Sequence, residues 1–295
     1  MLLCSLGSYT KTAERLHMTQ PAVTQHIQYL EDKYGRKLVT YENRTFSLTP
    51  AGEELRDLLA RIAADAKHFQ RRMDDGRSDR DDVYFGATLS IGEYLMPNVI
   101  AELLQADPRL NIHMEVDNSK VLLEKLQAGE LEFALIEGII DKSKYHSVVF
   151  SVEEFIPVCA QDSVFAQGPV RFGDLFGTTL VLREEGSGTR EIFELILKEH
   201  NYSVDSFQNI IEIGNMAAIK KLVGRNLGIT FLYSTVAEEE LKLGKLSKID
   251  IVGFEAKREF NFVFLKDSAY TDKYLYYLHM MQEAATRVCS DTPVW

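Results

Sequence analysis

The sequence predicts a multidomain α/β protein in which a small helical domain and a long helix precede a two-lobed α/β domain. The chain has 295 residues, which is too long for one compact core. Residues 1–73 contain only helix and hairpin patterns, whereas strand and helix patterns alternate from Val83 onward. This alternation occurs in two runs, which indicates two lobes with parallel strands covered by helices.

Charge divides the chain at the same place. The net charge is -11 overall, but residues 1–73 hold 11 Lys+Arg against 8 Asp+Glu, a net of +3, and the remainder carries -14. Any contact with a polyanion must therefore come from the N-terminal quarter. No apolar run is long enough to cross a bilayer, and "MLLCSL" lacks the basic start of a signal peptide. We expect a cytoplasmic protein with no membrane partner.

Two short helices are predicted near the N-terminus. Ser8 or Thr10 can cap the first, which we expect to run through Leu16 and His17. Thr19 can cap the second. The second helix carries its apolar residues four and three apart, on one buried stripe, and offers amides and hydroxyls on another face. Such groups can pair with base edges or phosphates, and the candidate DNA-contacting residues are Thr19, Gln20, Pro21, Thr24, Gln25 and Gln28.

A small hairpin is predicted after these helices. Residues 39–41 and 45–48 can pair around a turn that contains Arg44. Helix, tight turn, helix and hairpin is the order of a winged helix-turn-helix, which we assign to residues 1–50. An arginine at the tip of such a wing suits a narrow minor groove of DNA. A small helical domain with a polar surface helix is the alternative on spacing alone.

A long helix follows over residues 51–73, started by Thr49 and Pro50. Its apolar residues alternate by four and three, as in a coiled-coil seam that needs a partner helix. Packing onto its own second domain is the alternative, but the charged segment 74–82 reads as a hinge that would hold that domain away. We therefore expect a homodimer, which would recognise an interrupted inverted repeat in double-stranded DNA. The predicted seam consists of Leu55, Leu59, Ile62, Ala66, Phe69 and Met73.

The two lobes are assigned from the order of strand and helix patterns. We place lobe I at 83–160 and 265–295 and lobe II at 161–264, with a helix expected over 93–106 and the last helix packing on lobe I. Two strand-like segments, "EEFIPVCA" and "REFNFVFLK", are expected to take the chain from lobe I to lobe II and back.

Hydroxyl and glycine residues follow several predicted strands. An open α/β sheet binds ligands at the carboxyl ends of its strands, and helix N-termini favour anions. We therefore expect a small anionic metabolite between the lobes, although each such residue is individually more often a plain helix cap. The candidate effector-binding residues are Thr88, Ser90, Ser119, Ser187, Gly188, Thr189 and Arg190, the last of which could equally point to solvent.

The segment "GSYTKTAERLHMTQPAVTQHIQYLEDKYGRKLVTYENRTFSLTPAGEEL" resembles the DNA-binding domain of LysR-type transcriptional regulators. The remaining chain resembles their effector-binding domain, a two-lobed fold similar to type 2 periplasmic binding proteins. The resemblance implies that the helix from Gln20 enters the major groove and that Arg44 reaches the minor groove. It also implies a homotetramer and makes RNA polymerase a candidate partner. Family members have further residues before the position of Met1, so the first helix of the winged domain is expected to be truncated. Many members have arginine where this chain has Gln25.

Other chemistry has little support in the sequence. The three cysteines are far apart without metal-ligand spacing, and no nucleophile and base pattern stands out. We expect no catalytic residues, no metal and no cofactor. A solute-binding protein of periplasmic type without DNA-regulatory activity is the alternative, but it leaves the first 73 residues unexplained. A metabolic enzyme on the same scaffold is a more distant one.

Overall fold

The computed structural model describes residues 1–42, 45–74 and 81–290. The chain divides into two compact units, the first comprising Met1–Asp74 with Gln127–Gly129 and the second the remaining residues. The predicted wing residue Arg44 lies outside the described residues, as does most of the predicted hinge. Among the described residues, no helix is both long and apolar enough to span a membrane.

The first unit has four helices and one hairpin among its described residues. Ser8 caps α2 and Thr19 caps α3, each through a side-chain oxygen that accepts a backbone N–H three residues on. The hairpin strands pair antiparallel, with Val39 opposite Leu48. The elements are α1 (Leu2–Leu6), α2 (Tyr9–Arg15), α3 (Gln20–Tyr34), β1 (Val39–Glu42), β2 (Thr45–Leu48) and α4 (Pro50–Asp74).

The turn between α2 and α3 is longer than the sequence predicts. We expected α2 to continue through His17, but it ends at Arg15. His17 has a φ of 53°, in the left-handed region that stops a right-handed helix. The N–H of Met18 then donates to the carbonyl of Ala13, which satisfies an otherwise free helix-end carbonyl.

A buried carboxylate anchors the hairpin to α3. Glu31 is only 8% exposed and its Oε1 accepts the N–H groups of Leu38 at 2.9 Å and Val39 at 3.4 Å. The other carboxylate oxygen of Glu31, Oε2, accepts a hydrogen bond from Lys37 Nζ at 2.6 Å. Burial tends to raise the pKa of Glu31, but these three hydrogen bonds together lower it below its usual value. The charge of Glu31 therefore fixes the strand against the helix.

The second unit alternates strands and helices. In chain order the elements are β3 (Asp81–Ala87), α5 (Leu89–Tyr94), α6 (Met96–Ala106), β4 (Leu110–Val116), α7 (Ser119–Gln127), β5 (Phe133–Glu137), β6 (Tyr145–Ala160), β7 (Thr179–Leu182), α8 (Gly188–Glu199), β8 (Asn209–Glu212), α9 (Met216–Val223), β9 (Thr230–Tyr233), α10 (Ser234–Lys242), β10 (Leu246–Lys248), β11 (Lys257–Leu265) and α11 (Thr271–Ser290). Three short 3-10 helices lie among them.

One long strand belongs to both lobes. The main sheet has the order β10-β6-β11-β5-β3-β4, and β9 also pairs with β6. The segment 145–154 of β6 pairs with β11, whereas 155–160 pairs with β9 and β10. The first lobe is therefore built on β3, β4, β5 and β11, and the second on β7 to β10. This pairing puts residues 257–264 with the first lobe, whereas the boundary expected from the sequence put them in lobe II. In the first lobe β3 runs parallel to β4 and β5, so their carboxyl ends share one edge.

The helical segment after β3 differs from its prediction. We expected one helix over 93–106, but two helices meet at Leu95, which ends α5 and caps α6. Pro97 lies in the first turn of α6, where its missing N–H costs nothing but prevents continuation of the preceding helix. Beneath these helices Phe133 stacks between Phe85 and Phe262, with ring centroids 5.1 and 4.4 Å away. As predicted, the final helix α11 packs on the first lobe, against α6.

Candidate functional site

The first candidate site is the outward face of α3. The side chains of all six described candidates are exposed, namely Thr19, Gln20, Pro21, Thr24, Gln25 and Gln28. Within the face, Gln20 Nε2 donates to Thr24 Oγ1 at 3.4 Å and the Thr24 hydroxyl donates to the Gln20 carbonyl at 3.1 Å. On the inner side Val23 is 5% exposed. The amide and hydroxyl groups are therefore free of the protein core and can reach a partner.

The second feature is an apolar stripe along α4. Among the predicted seam residues, Leu59, Ile62, Phe69 and Met73 are 38–63% exposed in the single chain, Ala66 is exposed and Leu55 is half-buried. Exposed apolar residues at this spacing on a helix 25 residues long are typical of a surface covered by a partner helix.

The third site lies where the two lobes meet, around Glu137. This residue ends β5, and three hydroxyls surround its carboxylate. Thr88 Oγ1 donates to Oε2, Thr189 Oγ1 donates to Oε1 at 2.9 Å, and Ser90 Oγ lies 3.2 Å from Oε1. The Ser90 and Thr189 hydroxyls are also 3.1 Å apart. Because Thr189 belongs to the second lobe, this cluster joins the two lobes.

The lobes approach closely beside this carboxylate. A Cβ atom on Gly188 would lie 2.3 Å from the Glu137 carbonyl oxygen and 2.8 Å from Ser119 Oγ, so only glycine fits. Ser119 itself donates to that carbonyl at 3.2 Å and begins α7. The N-termini of α7 and α8 therefore both lie next to Glu137, and their free N–H groups favour negative charge there.

The charge state of Glu137 reflects opposing influences. Burial dominates and raises the pKa of Glu137, while Thr88, Thr189, Arg183 and Ser90 each lower it. Arg183 is 4% exposed and follows β7, where its guanidinium makes two 2.8 Å bonds to Glu184. The region between the lobes thus holds a buried carboxyl group, Glu137, and a buried cation, Arg183. Arg183 lowers the pKa of Glu137 but forms its salt bridge with Glu184.

Two further hydroxyls near the cleft are buried and have no hydrogen-bond partner among the described residues. They are Ser187 Oγ, at the N-cap of α8, and Tyr233 Oη, at the end of β9. The pKa of Tyr233 lies well above its usual value, first through burial and then through the Glu137 charge. Unpaired buried hydroxyls are costly, and such groups are typical of a site that a ligand completes.

The remaining candidate, Arg190, is engaged at the surface of α8. Its Nε donates to Glu194 at 2.7 Å, and its Nη1 donates to Glu212 at 2.6 Å and to the Arg183 carbonyl at 3.2 Å. The guanidinium is therefore tied to carboxylates of its own lobe, and not to the Glu137 cluster.

Several residues at this site were missed by the sequence reasoning. Glu137, Arg183 and Lys220 are all buried. Lys220 Nζ donates to Glu240 at 2.8 Å and lies 4.4 Å from the centre of the Tyr94 ring, so it joins α9 of the second lobe to α5 of the first. The available signal was a charged residue directly after an apolar run, as in "FALIE" and "TLVLR". In the described part of the chain no cluster of three or more His, Cys, Asp or Glu side chains could hold a metal ion.

Two family models match the chain. The model described as the LysR substrate binding domain matches residues 76–284, and the bacterial regulatory helix-turn-helix protein of the lysR family matches residues 2–53. The chain belongs to the LysR family of transcriptional regulators. This membership confirms the predicted fold class and the predicted function, a DNA-binding transcriptional regulator with an effector-binding domain. Nothing in the comparisons supports the alternative of a solute-binding protein.

Curated relatives of this LysR-type regulator are themselves named as regulators. It is 28% identical over 258 residues to a probable RuBisCO transcriptional regulator of Trieres chinensis, covering 85% of this chain and 84% of that protein. It is 29% identical over 245 residues to the uncharacterized HTH-type transcriptional regulator YeiE of Escherichia coli K12, covering 83% and 82%.

Solved structures share the fold. The OxyR C206S mutant of Corynebacterium glutamicum, with bound H2O2, superposes with a TM-score of 0.64 at 20% identity, covering 97% of this chain and 90% of that one. The regulatory domain of Synechocystis CcmR in complex with 2-PG gives a TM-score of 0.60 at 21% identity, covering 69% and 98%.

Proposed function

We propose that the effector of this LysR-type regulator is a small metabolite with an oxyanion group, bound at Thr88, Ser90 and Thr189. One observation carries the proposal: three hydroxyls from two lobes already converge on a carboxylate, that of Glu137. A cage that accepts an internal carboxylate has the size and the donors for an external one. An incoming oxyanion would share the hydroxyl donors of this cage with Glu137.

Neighbouring groups support an anionic ligand at the same place. The N-termini of α7 and α8 supply backbone N–H groups. The buried guanidinium of Arg183 adds positive potential, which its salt bridge to Glu184 partly offsets. The free hydroxyl of Ser187 is a further donor, whereas Arg190 is occupied by its own carboxylates. The regulatory domain of CcmR, which has the same fold, was solved in complex with 2-PG.

We further propose that two copies pair through the apolar stripe of α4 and present two α3 helices to DNA. Residues 1–73 of each copy carry a net charge of +3, so one copy would hold DNA weakly, and two linked copies gain affinity by acting together. The expected operator is an interrupted inverted repeat. A tetramer would place two such pairs on one promoter, and movement of the lobes would alter the spacing of the α3 helices or a contact with RNA polymerase.

The experiment combines a ligand screen with DNA footprinting. The full chain is melted with millimolar phosphates, sulfur oxyanions and small carboxylates, because a ligand at 100 times its Kd stabilises the folded state by about 2.7 kcal/mol. The best anion is then added to a footprint on the DNA upstream of the regulator's own gene, and Ser90→Ala is the variant expected to weaken its binding. A screen in which no anion stabilises the chain, or a stabilising anion that leaves the footprint unchanged, contradicts the proposal.

A further inference from the structure

The Glu137 carboxylate has one acceptor position that its three hydroxyl partners do not fill. An ionised carboxylate has about four lone-pair positions. The three surrounding hydroxyls supply three protons, and Ser90 can direct its proton either to Glu137 or to the oxygen of Thr189. At least one position on the carboxylate can therefore accept a hydrogen bond from a ligand. The cleft offers an incoming oxyanion several donors and one strong acceptor.

This combination treats two kinds of oxyanion differently. An oxyanion without hydrogen can only bring its negative charge against the buried carboxylate, and like charges in a water-poor site repel strongly. An oxyanion that carries a hydroxyl group can donate that hydrogen to Glu137, which turns the closest repulsive contact into a charge-assisted hydrogen bond. Sites built to accept a ligand hydroxyl discriminate sharply against analogues that lack it.

We propose that Glu137 makes the cleft select oxyanions that carry an ionisable hydrogen, of the hydrogen-phosphate type, over oxyanions of the same shape and charge without one. The inference rests on the proposed function, because it concerns the ligand class of the same cleft. Ser187 Oγ and Tyr233 Oη, both buried and without partners among the described residues, are donors available to the other ligand oxygens.

Other charged groups near Glu137 do not supply the same discrimination. Arg183 is positive and favours either kind of anion, and Tyr233 is held neutral by burial. Glu191 of α8 lies beside Gly138, and its Oε2 would be 3.2 Å from a Cβ atom placed there. Glu191 is exposed at the surface, where water screens part of its charge, and partial burial raises its pKa. It is therefore a matched control: a carboxyl in the same region, outside the hydroxyl cage.

The test uses inorganic phosphate and sulfate as a matched pair of tetrahedral anions. At about pH 8 both are dianions in the main, but only phosphate carries a hydrogen. Calorimetric titration of the full chain should show wild type and Glu191→Gln binding phosphate at least about tenfold more tightly than sulfate. In Glu137→Gln the carboxylate charge is absent and the amide can donate a hydrogen bond. Sulfate should therefore bind more tightly than it binds wild type, and the affinities of the variant for phosphate and sulfate should agree within about threefold.

A second measurement needs no variant. The charge of sulfate does not change between about pH 5 and 8, so any pH dependence of its binding comes from the protein. Protonation of Glu137 replaces a repelling charge by a donor, and its pKa lies above the usual carboxyl value. Wild type should therefore bind sulfate at least about tenfold more tightly below this raised pKa than above it. Glu191→Gln should retain this profile and Glu137→Gln should lose it.

The other outcomes identify which statement fails. Equal binding of phosphate and sulfate by wild type, with a flat sulfate profile, overturns the inference and leaves the anion cage in place. If Glu137→Gln binds both anions and wild type binds neither, the inference is also overturned, because Glu137 would then block the site and not select its ligand. If neither anion binds wild type or variant at any pH, while other oxyanions also fail to stabilise the chain, the proposed function itself falls.

Discussion

The hydrogen bond from Thr189 to Glu137 is the contact whose loss tests the cleft most directly, because it joins the two lobes. Thr189 Oγ1 lies 2.9 Å from Glu137 Oε1, and both side chains are buried. A hydrogen bond to an ionised group contributes about 1.5–3 kcal/mol, against about 0.5–1.5 kcal/mol for a neutral pair. We therefore expect Thr189→Val, which keeps the shape and removes the donor, to lower the free energy of unfolding by about 1.5–3 kcal/mol when Glu137 is ionised.

The assay is a double-mutant cycle read by urea unfolding of the full chain. The coupling energy between Thr189→Val and Glu137→Gln isolates this contact from the general cost of each substitution. Thr88→Val gives a matched cycle within the first lobe, since Thr88 donates to the other oxygen of the same carboxylate. Thr179→Val, at the start of β7, should show a coupling energy with Glu137→Gln near zero.

The pH dependence of this coupling follows from the raised pKa of Glu137. Burial makes the folded state bind the Glu137 proton more tightly than the unfolded state does. The contribution of Glu137 to stability is therefore greatest in acid and declines as pH rises from the usual carboxyl range through the raised pKa. Over the same window the coupling to Thr189 should increase, because the acceptor becomes charged. A coupling energy below about 0.5 kcal/mol, or one that stays constant as pH rises from about 4.5 through the raised pKa, would refute the reasoning.

Three further predictions concern the N-terminal unit. Glu31→Gln should lower its free energy of unfolding by about 1–3 kcal/mol at neutral pH. Because the pKa of Glu31 is lowered in the folded state, this advantage of wild type is present above about pH 4.5 and is lost as pH falls through the lowered pKa, as urea unfolding in acid should show. Gln25→Arg should tighten DNA binding and steepen the salt dependence by about one counterion in mobility shifts, and an unchanged slope would contradict a phosphate contact at this position. If copies pair through α4 as proposed, Ile62→Asp should shift the chain to smaller species in analytical ultracentrifugation, whereas Gln70→Asp, at an exposed residue outside the predicted seam, should not.

Most of the fold could be predicted from the sequence, because the helices and strands have periodic apolar patterns and the helix caps depend on nearby residues. Ser8 and Thr19 hydrogen-bond to N–H groups only three residues away, so the start of each helix can be deduced from the local sequence. The position of the hydroxyls after strands also follows from a general rule for α/β sheets. The end of α2 could not be deduced, because His17 adopts its left-handed φ as part of a turn for which no glycine signals.

The burial of Glu137 among three hydroxyls could not be predicted from the sequence, for a different reason. Glu137 is separated from its three hydroxyl partners by 47, 49 and 52 residues. The one local signal, a charged residue directly after an apolar run, does not identify the partners that would bury it. A glutamate at a strand end is normally solvated. Only the meeting of two lobes makes it a buried acceptor, and that arrangement depends on tertiary packing that the spacing of residues does not encode.

Charge distribution gives the two ends of this regulator opposite responses to salt. The first 73 residues carry +3, so their attraction to DNA weakens as salt rises. The rest of the chain carries -14, so an anion approaching the cleft meets overall repulsion that salt screens beyond about 8 Å at physiological ionic strength. On the function proposed above, binding of an anionic effector then depends on short-range groups between the lobes, namely the hydroxyl cage and the helix N-termini. Because those short-range contacts are buried, moderate salt should weaken DNA binding while leaving the capture of the effector unchanged or slightly stronger.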